Sequence, residues 1–187
     1  AYGVVAQSIG GGGGLFLGLD PNNTAISPTV TKNTTGSGNG GNVDVTISEG
    51  SGIVASGVGA IGVLAQSIGG GGGYVASALA TQPSFAGSAG GTGTSGNVTI
   101  NVNSNIIVTG DGADAIYAQS ATSTGDNLGK VATIIAPGVS VIGDGPNPIQ
   151  GSSLLIQNSN LDKGAGIQIG AASEYDLVNY GTLSTVN

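Results

Sequence analysis

Apolar and polar residues alternate in short segments along most of the chain. Residues 41–48 (GNVDVTIS) and residues 96–103 (GNVTINVN) each carry an aliphatic side chain at every second position. This period of two is typical of β-strands with one buried face. Glycine, which costs about 1 kcal/mol at a helix position relative to alanine, recurs every few residues between these segments. The pattern therefore predicts an all-β chain of short strands joined by tight turns.

The segments belong to an internal repeat. Residues 1–14 read AYGVVAQSIGGGGG, and residues 60–73 read AIGVLAQSIGGGGG, with two differences. Residues 113–122, ADAIYAQSAT, keep the AQS motif and lose the glycines. With the segments upstream of them they define a unit of three strands, roughly GNVxVxI, xIxxxGxG and AxGIxAQS, about 25 residues in all. A unit this small buries its apolar face only by stacking against its neighbours.

The repeat divides the chain into cores and insertions. The predicted cores cover about residues 1–9, 41–68, 96–121 and 129–153, and the predicted insertions cover about residues 10–40, 69–95 and 122–128. The third strand of the fourth core is assigned to Ile149, Gly151 and Ser153, and residues 154–187 are interpreted as divergent coils. We expect residues 1–187 to be a single β-solenoid piece of a longer repeat protein.

Stacking the copies places equivalent residues in columns. The predicted inward columns take one residue from each copy: Val4, Val63 and Ile116; Ala6, Ala65 and Ala118; Ser8, Ser67 and Ser120. Such columns, with three strands per coil and long insertions after the third strand, are typical of a right-handed parallel β-helix with strands about 4.8 Å apart. A β-sandwich has strands at similar spacing, but it does not normally repeat one strand sequence in register three times.

Two outward columns of the third strand need an explanation. The first holds Val5, Leu64 and Tyr117, an apolar strip that requires cover. We expect the insertions to fold back over it, with Phe16 and Tyr74 as anchors. The second holds Gln7, Gln66 and Gln119, which we interpret as a ladder of side-chain amides rather than a ligand site.

The glycine runs at 10–14 and 69–73 are not nucleotide sites. A phosphate-binding loop needs Lys followed by Ser or Thr and then a helix, whereas Leu15 and Tyr74 follow these runs. Two structural interpretations stay open. The glycines are flexible exits from the repeat, or the two runs pack against each other as extended backbone, since glycine permits close approach.

The amino-acid composition excludes several classes of function. The chain has 38 Gly among 187 residues, three basic residues, no His, no Cys and a formal net charge of −7. A Ser-His-Asp centre and a His or Cys zinc site are therefore impossible, and nucleic acid is an unsuitable partner. The clustered acids Asp111, Asp114 and Asp144 occur at Asp-Gly turn signals or beside them. We expect no enzyme and no cofactor, with Asp111 and Asp144 as weak Ca²⁺ candidates.

The string GxGAxGVxAQSIGGGGG resembles the passenger regions of very large autotransporter proteins of Gram-negative bacteria. The resemblance is carried by residues 41–73 and, less completely, by residues 1–14 and 96–120; the closing VNYGTLSTVN is similar to coils of the same class. It implies export through the outer membrane, display at the cell surface and a parent protein anchored by a separate barrel. The implied role is an adhesin or surface scaffold.

The resemblance leaves the partner open. A glycan or protein on a host cell or a neighbouring cell would be bound, by weak contacts that add along the stalk. One alternative is a self-associating fibre for cell–cell aggregation. Another is a carbohydrate-active β-helix, which would need clustered carboxylates and a base in a groove.

Overall fold

The computed structural model describes residues 1–17, 36–76, 84–86, 92–122, 124, 126–144, 154–156, 167–169 and 172–186. These residues form sixteen strands, and no helix that could cross a membrane occurs among them. Three of the four sheets consist entirely of parallel pairs. The prediction of an all-β chain with parallel sheets is confirmed.

The strands are arranged in three large sheets and one small one. Sheet 1 contains, in spatial order, β1 (Tyr2–Ile9), β5 (Ile61–Gly69), β10 (Asp114–Thr122), β14 (Ile167–Ile169) and β13 (Leu154–Ile156). Sheet 2 contains β3 (Val43–Ile47), β8 (Val98–Val102), β11 (Val131–Ile135) and β15 (Tyr175–Asn179). Sheet 3 contains β4 (Ile53–Ser56), β9 (Ile106–Thr109), β12 (Ser140–Asp144) and β16 (Thr182–Val186). The insertion sheet contains β2 (Gly13–Leu17), β6 (Gly72–Ala76) and β7 (Ser84–Ala86).

Strands that follow one another in a repeat lie in different sheets. In the second copy, β3 joins sheet 2, β4 joins sheet 3 and β5 joins sheet 1, and in the third copy β8, β9 and β10 follow the same order. In these two copies each sheet therefore gains one strand per copy. Equivalent residues become register partners, as Val45 does with Ile100 and Ile100 with Thr133.

The inward side chains of the three sheets meet in one core. Val63 from sheet 1, Ile100 from sheet 2 and Ile106 from sheet 3 are fully buried in the same apolar cluster. Burying a Val or Ile side chain contributes about 1.5–3 kcal/mol, and each copy adds several such residues. The core is thus continuous from copy to copy. A single unit of this size therefore buries its apolar side chains only together with its neighbours.

The glycines of the second segment form the corner between sheets 3 and 1. Ala113 N–H donates to Gly110 O at 3.0 Å, and Ala60 N–H donates to Gly57 O at the same distance. Gly112, in the third position of its turn, has φ +68°, a conformation that favours glycine. The predicted Asp111–Gly112 turn is therefore confirmed.

The fourth copy differs from the sequence expectation. The position beside β10, where Ile149 was expected, is occupied by β14, with Ile167 opposite Ile116 and Ile169 opposite Ala118. Ile149, Gly151 and Ser153 lie outside the described residues. The segment AGIQIGA supplies the required apolar alternation but lacks the AQS letters, so a search for that motif passes over it.

Two titratable groups at one end of sheet 2 have raised pKa values. Lys130 pairs with Glu174 on the surface, and the hydrogen bond to that carboxylate raises the pKa of Lys130. At the same end of sheet 2, burial raises the pKa of Tyr175 to about 12.

Candidate functional site

The two glycine runs leave sheet 1 together and pair with each other. Gly13 lies opposite Gly72, Gly14 opposite Gly73 and Leu15 opposite Tyr74 in a parallel ladder. This register has the same offset of 59 residues as the pairing of β1 with β5 upstream. Of the two interpretations, the structure therefore shows the packed one. The insertions begin as a second sheet that continues the repeat register.

Only glycine fits the backbone of these runs. The residues from Gly11 to Gly14 and from Gly70 to Gly73 all have positive φ, between +81° and +152°. A Cβ added to Gly13 would collide with the carbonyl oxygen of Gly72, and one added to Gly73 would collide with that of Gly14. The glycines are therefore required by conformation and by the close approach of two strands.

The returning arms of the insertions are stacked as well. Ser37 and Thr92 form a parallel bridge, and Gly38 N–H donates to Thr92 O at 3.1 Å. Gly38 O in turn accepts from Gly70 N–H at 3.0 Å, which ties the returning arm of one insertion to the exit of the next. Both ends of the first two insertions are thus held in place.

The insertion sheet covers Leu64 and Tyr117 of the apolar strip on the outer face of sheet 1, whereas Val5 is 40% exposed. Leu64 is fully buried, and Tyr74 and Tyr117 are each 3% exposed in one cluster with Ile61. The rings of Tyr74 and Tyr117 meet edge to face with centroids 5.4 Å apart, and Tyr2 contacts Tyr74 in the same way at 6.1 Å. Such contacts add about 0.5–1.5 kcal/mol per pair beyond the buried area.

The anchors are only partly those that the sequence predicts. Tyr74 is an anchor of the insertion sheet, as expected. In the other insertion Leu15 packs against the cluster, whereas the side chain of Phe16 lies outside the described residues. Tyr2, at the start of β1, is a third aromatic contact that the sequence analysis did not identify. Its position in the column of Ile61 is the signal that would have indicated it.

The Gln column is a ladder of side-chain amides. Gln7 Nε2 donates to Gln66 Oε1 at 2.7 Å, and Gln66 Nε2 donates to Gln119 Oε1 at 2.8 Å. Gln66 is fully buried between the other two. The predicted ladder is therefore confirmed, and the amides of this column are used within the protein.

The Ser column connects each third strand to the next copy. Ser67 Oγ donates to Gly41 O at 2.9 Å and accepts from Gly96 N–H at 2.7 Å. Ser120 Oγ repeats this with Gly96 O at 2.8 Å and Gly129 N–H at 2.9 Å. The glycine that precedes each first strand is therefore the partner of the Ser of AQS, a coupling that the sequence analysis did not predict.

The inward columns of sheet 1 are in register. Their pairings are Val4–Val63–Ile116, Ala6–Ala65–Ala118 and Ser8–Ser67–Ser120. These columns are structural: Val63, Ala65, Ser67 and their third-copy partners are fully buried. What the surface presents is the outer face of the sheets and the insertions.

The carboxylate of Asp144, near the sheet corner, accepts a backbone hydrogen bond. Asp144 Oδ2 accepts from Gly110 N–H at 2.7 Å, and the backbone of Asp144 bridges to Ala113. Asp114 is fully buried in the column of Ile61. Within the part of the chain that the structure describes, no three His, Cys, Asp or Glu residues come together as a metal site. Calcium at Asp111 and Asp144 stays a prediction from the sequence.

Compared with protein-family models, with curated proteins and with solved structures, the chain shows no match. The resemblance to autotransporter passenger repeats is therefore still a prediction from the repeat motif.

Proposed function

We propose that the chain is a right-handed parallel β-helix and forms a structural and adhesive segment of a secreted bacterial surface protein. Its body is a section of a stalk at the cell surface, and its insertions are presented for attachment to a neighbouring cell, a host cell or the matrix. No substrate is turned over. Each insertion contributes a weak contact, and contacts repeated along the stalk add through effective concentration.

One observation supports this proposal above the others. The offset of 59 residues between the first two copies is kept in β1 against β5 and again in β2 against β6. Repeats that stack in constant register around a shared core can be extended indefinitely along one axis. The insertions inherit the same spacing, which suits the display of equivalent contacts at regular intervals.

The test compares monovalent and multivalent binding. The chain would be presented as a monomer and at high density on beads to cultured cells, matrix proteins and a glycan array. We expect the beads to bind at least one surface that the monomer does not retain. Beads that carry a Tyr180→Ala chain are the control and should bind as the parent beads do, because Tyr180 is 67% exposed and lies outside the insertions.

Two results would overturn the proposal. Beads that bind none of these surfaces would contradict an attachment role. Shortening of the arrayed glycans would instead indicate the carbohydrate-active alternative.

A further inference from the structure

Thr133 interrupts an aliphatic column of the core. It lies in β11 of sheet 2, in register with Ile100 of β8 and with Leu177 of β15. Its side chain is fully buried, and its inward neighbours along β11, Val131 and Ile135, belong to the apolar cluster of the three sheets. Valine has nearly the shape of threonine without the hydroxyl group, so apolar packing does not account for a threonine at this position.

The hydroxyl of Thr133 has no hydrogen-bond partner among the described residues. The other buried Ser and Thr side chains of the described chain differ in this respect. Ser67 and Ser120 bond to backbone groups, Ser95 bonds to Ser120, and Thr122 donates to a backbone carbonyl. A buried hydroxyl without a partner destabilises the folded state, so the exception at Thr133 requires an explanation.

A second buried hydroxyl without a partner lies in the next strand of sheet 2. Tyr175 of β15 is opposite Val131 and two residues before Leu177, which makes it a diagonal neighbour of Thr133 on the inward face. An aromatic side chain is long enough to reach across such a diagonal. The ring of Tyr175 packs against the core, and its hydroxyl is buried with no hydrogen-bond partner in the described part of the chain.

The two hydroxyls require the same kind of partner. Each can donate one hydrogen bond and accept others, and the phenol keeps its proton at neutral pH because burial raises the pKa of Tyr175 to about 12. The backbone groups of β11 and β15 are engaged in the parallel ladder. A charged occupant is excluded by the cost of desolvation in an aliphatic core. Water is the smallest neutral molecule that both donates and accepts, and it commonly satisfies buried polar groups in proteins.

We propose that the hydroxyls of Thr133 and Tyr175 bind one water molecule inside the core, between β11 and β15. The water accepts a hydrogen bond from one hydroxyl and donates one to the other. It links the fourth copy to the divergent coil that follows. The ion pair of Lys130 and Glu174, which immediately precede the same two strands, makes an equivalent link on the surface. This inference does not depend on the adhesive role.

Oxygen-17 relaxation dispersion of the solvent tests the site. It counts the water molecules that stay in a protein for longer than the protein takes to tumble, and exchanging hydroxyl protons do not contribute to it. The full chain is compared with Thr133→Val and Tyr175→Phe, each of which removes one hydroxyl and keeps the shape of the side chain. We expect each variant to lose the amplitude of about one water molecule per chain. The double variant should lose no more than either single variant, because both hydroxyls hold the same molecule.

Thr99→Val is the matched control. Thr99 lies on the outer face of β8, so the same change of side chain there should leave the amplitude as it is in the parent chain. Circular dichroism checks that every variant is folded. An unchanged amplitude in Thr133→Val or in Tyr175→Phe would overturn the proposal, because the hydroxyls would then be satisfied without a shared water, as by a direct bond between them. A loss of about two waters in the double variant would also overturn it, since each hydroxyl would then hold its own molecule.

Discussion

At the scale of single residues, the repeat predicts which side chains share a column but not every bond between columns. Identical letters at equivalent positions were sufficient for the Gln ladder, since stacked amides satisfy one another. The bond from Ser67 to Gly41 joins two different segments of the repeat. No local sequence pattern predicts this hydrogen bond, because the bond depends on the angle at which the chain passes from sheet 1 to sheet 2.

The middle residue of the Gln ladder should contribute most to the free energy of unfolding. Gln66→Leu removes two amide hydrogen bonds at a fully buried position. We expect the free energy of unfolding to fall by about 2 kcal/mol, at about 1 kcal/mol for each bond. Gln7→Leu, at the half-buried end of the described ladder, removes one bond and should cost less. Urea denaturation followed by circular dichroism measures both, and an equal cost for the two variants would contradict the ladder.

At the scale of strands, strong alternation was predictable and glycine-rich structure was not. The pattern of residues 98–102 is enough to assign β8, because Val98, Ile100 and Val102 face one core. The run 10–14 has no side chains to show a period, so two interpretations stayed open until the pairing with Gly72 and Gly73 was visible. The segment AGIQIGA was predicted as a strand, but its place beside β10 was not, because its apolar alternation is kept while its motif letters are lost.

Tyr74 should control whether the insertion sheet stays docked. Tyr74→Ala removes the ring that contacts both Tyr2 and Tyr117. We expect amide exchange of Gly72–Ala76 to speed up by at least about tenfold, while exchange in β8 stays slow, because local opening needs only local contacts to be lost. Hydrogen exchange with mass spectrometry measures both segments.

Tyr180→Ala, at an exposed position, is the control for this substitution and should leave both exchange rates unchanged. Faster exchange throughout the chain in Tyr74→Ala would mean that the insertion sheet is part of the main folding unit. The insertion sheet would then not be a layer that opens separately.

At the scale of the whole molecule, the three sheets share one core but contact is strongest between adjacent copies. The class of fold was predictable to the level of parallel all-β structure, because repeat length and alternation together restrict how strands pair. The path of the fourth copy was not, since β14 replaces the expected segment and β13 lies beyond it.

The destabilising effect of a cavity in the middle of sheet 2 should therefore be greatest in the neighbouring strands. Ile100→Ala, at a fully buried position, should lower the free energy of unfolding by about 2–5 kcal/mol. Faster amide exchange should be greatest in β3 and β11, which flank β8, and weaker in β15, as in a system with nearest-neighbour coupling. Hydrogen exchange with mass spectrometry measures this gradient.

Thr99→Ala, beside Ile100 on the outer face of β8, is the matched control and should change little. A uniform increase in exchange from β3 to β15 would contradict the gradient. It would show a single cooperative unit instead.

The position of β13 has a consequence for how this end of the molecule is assembled. β13 precedes β14 in the chain, yet it lies outside β14 in sheet 1, and its ladder partner is β14. The earlier segment consequently joins sheet 1 only through the later one. Residues 154–156 therefore reach their native pairing only when residues 167–169 are also present, so this end of sheet 1 is completed out of chain order.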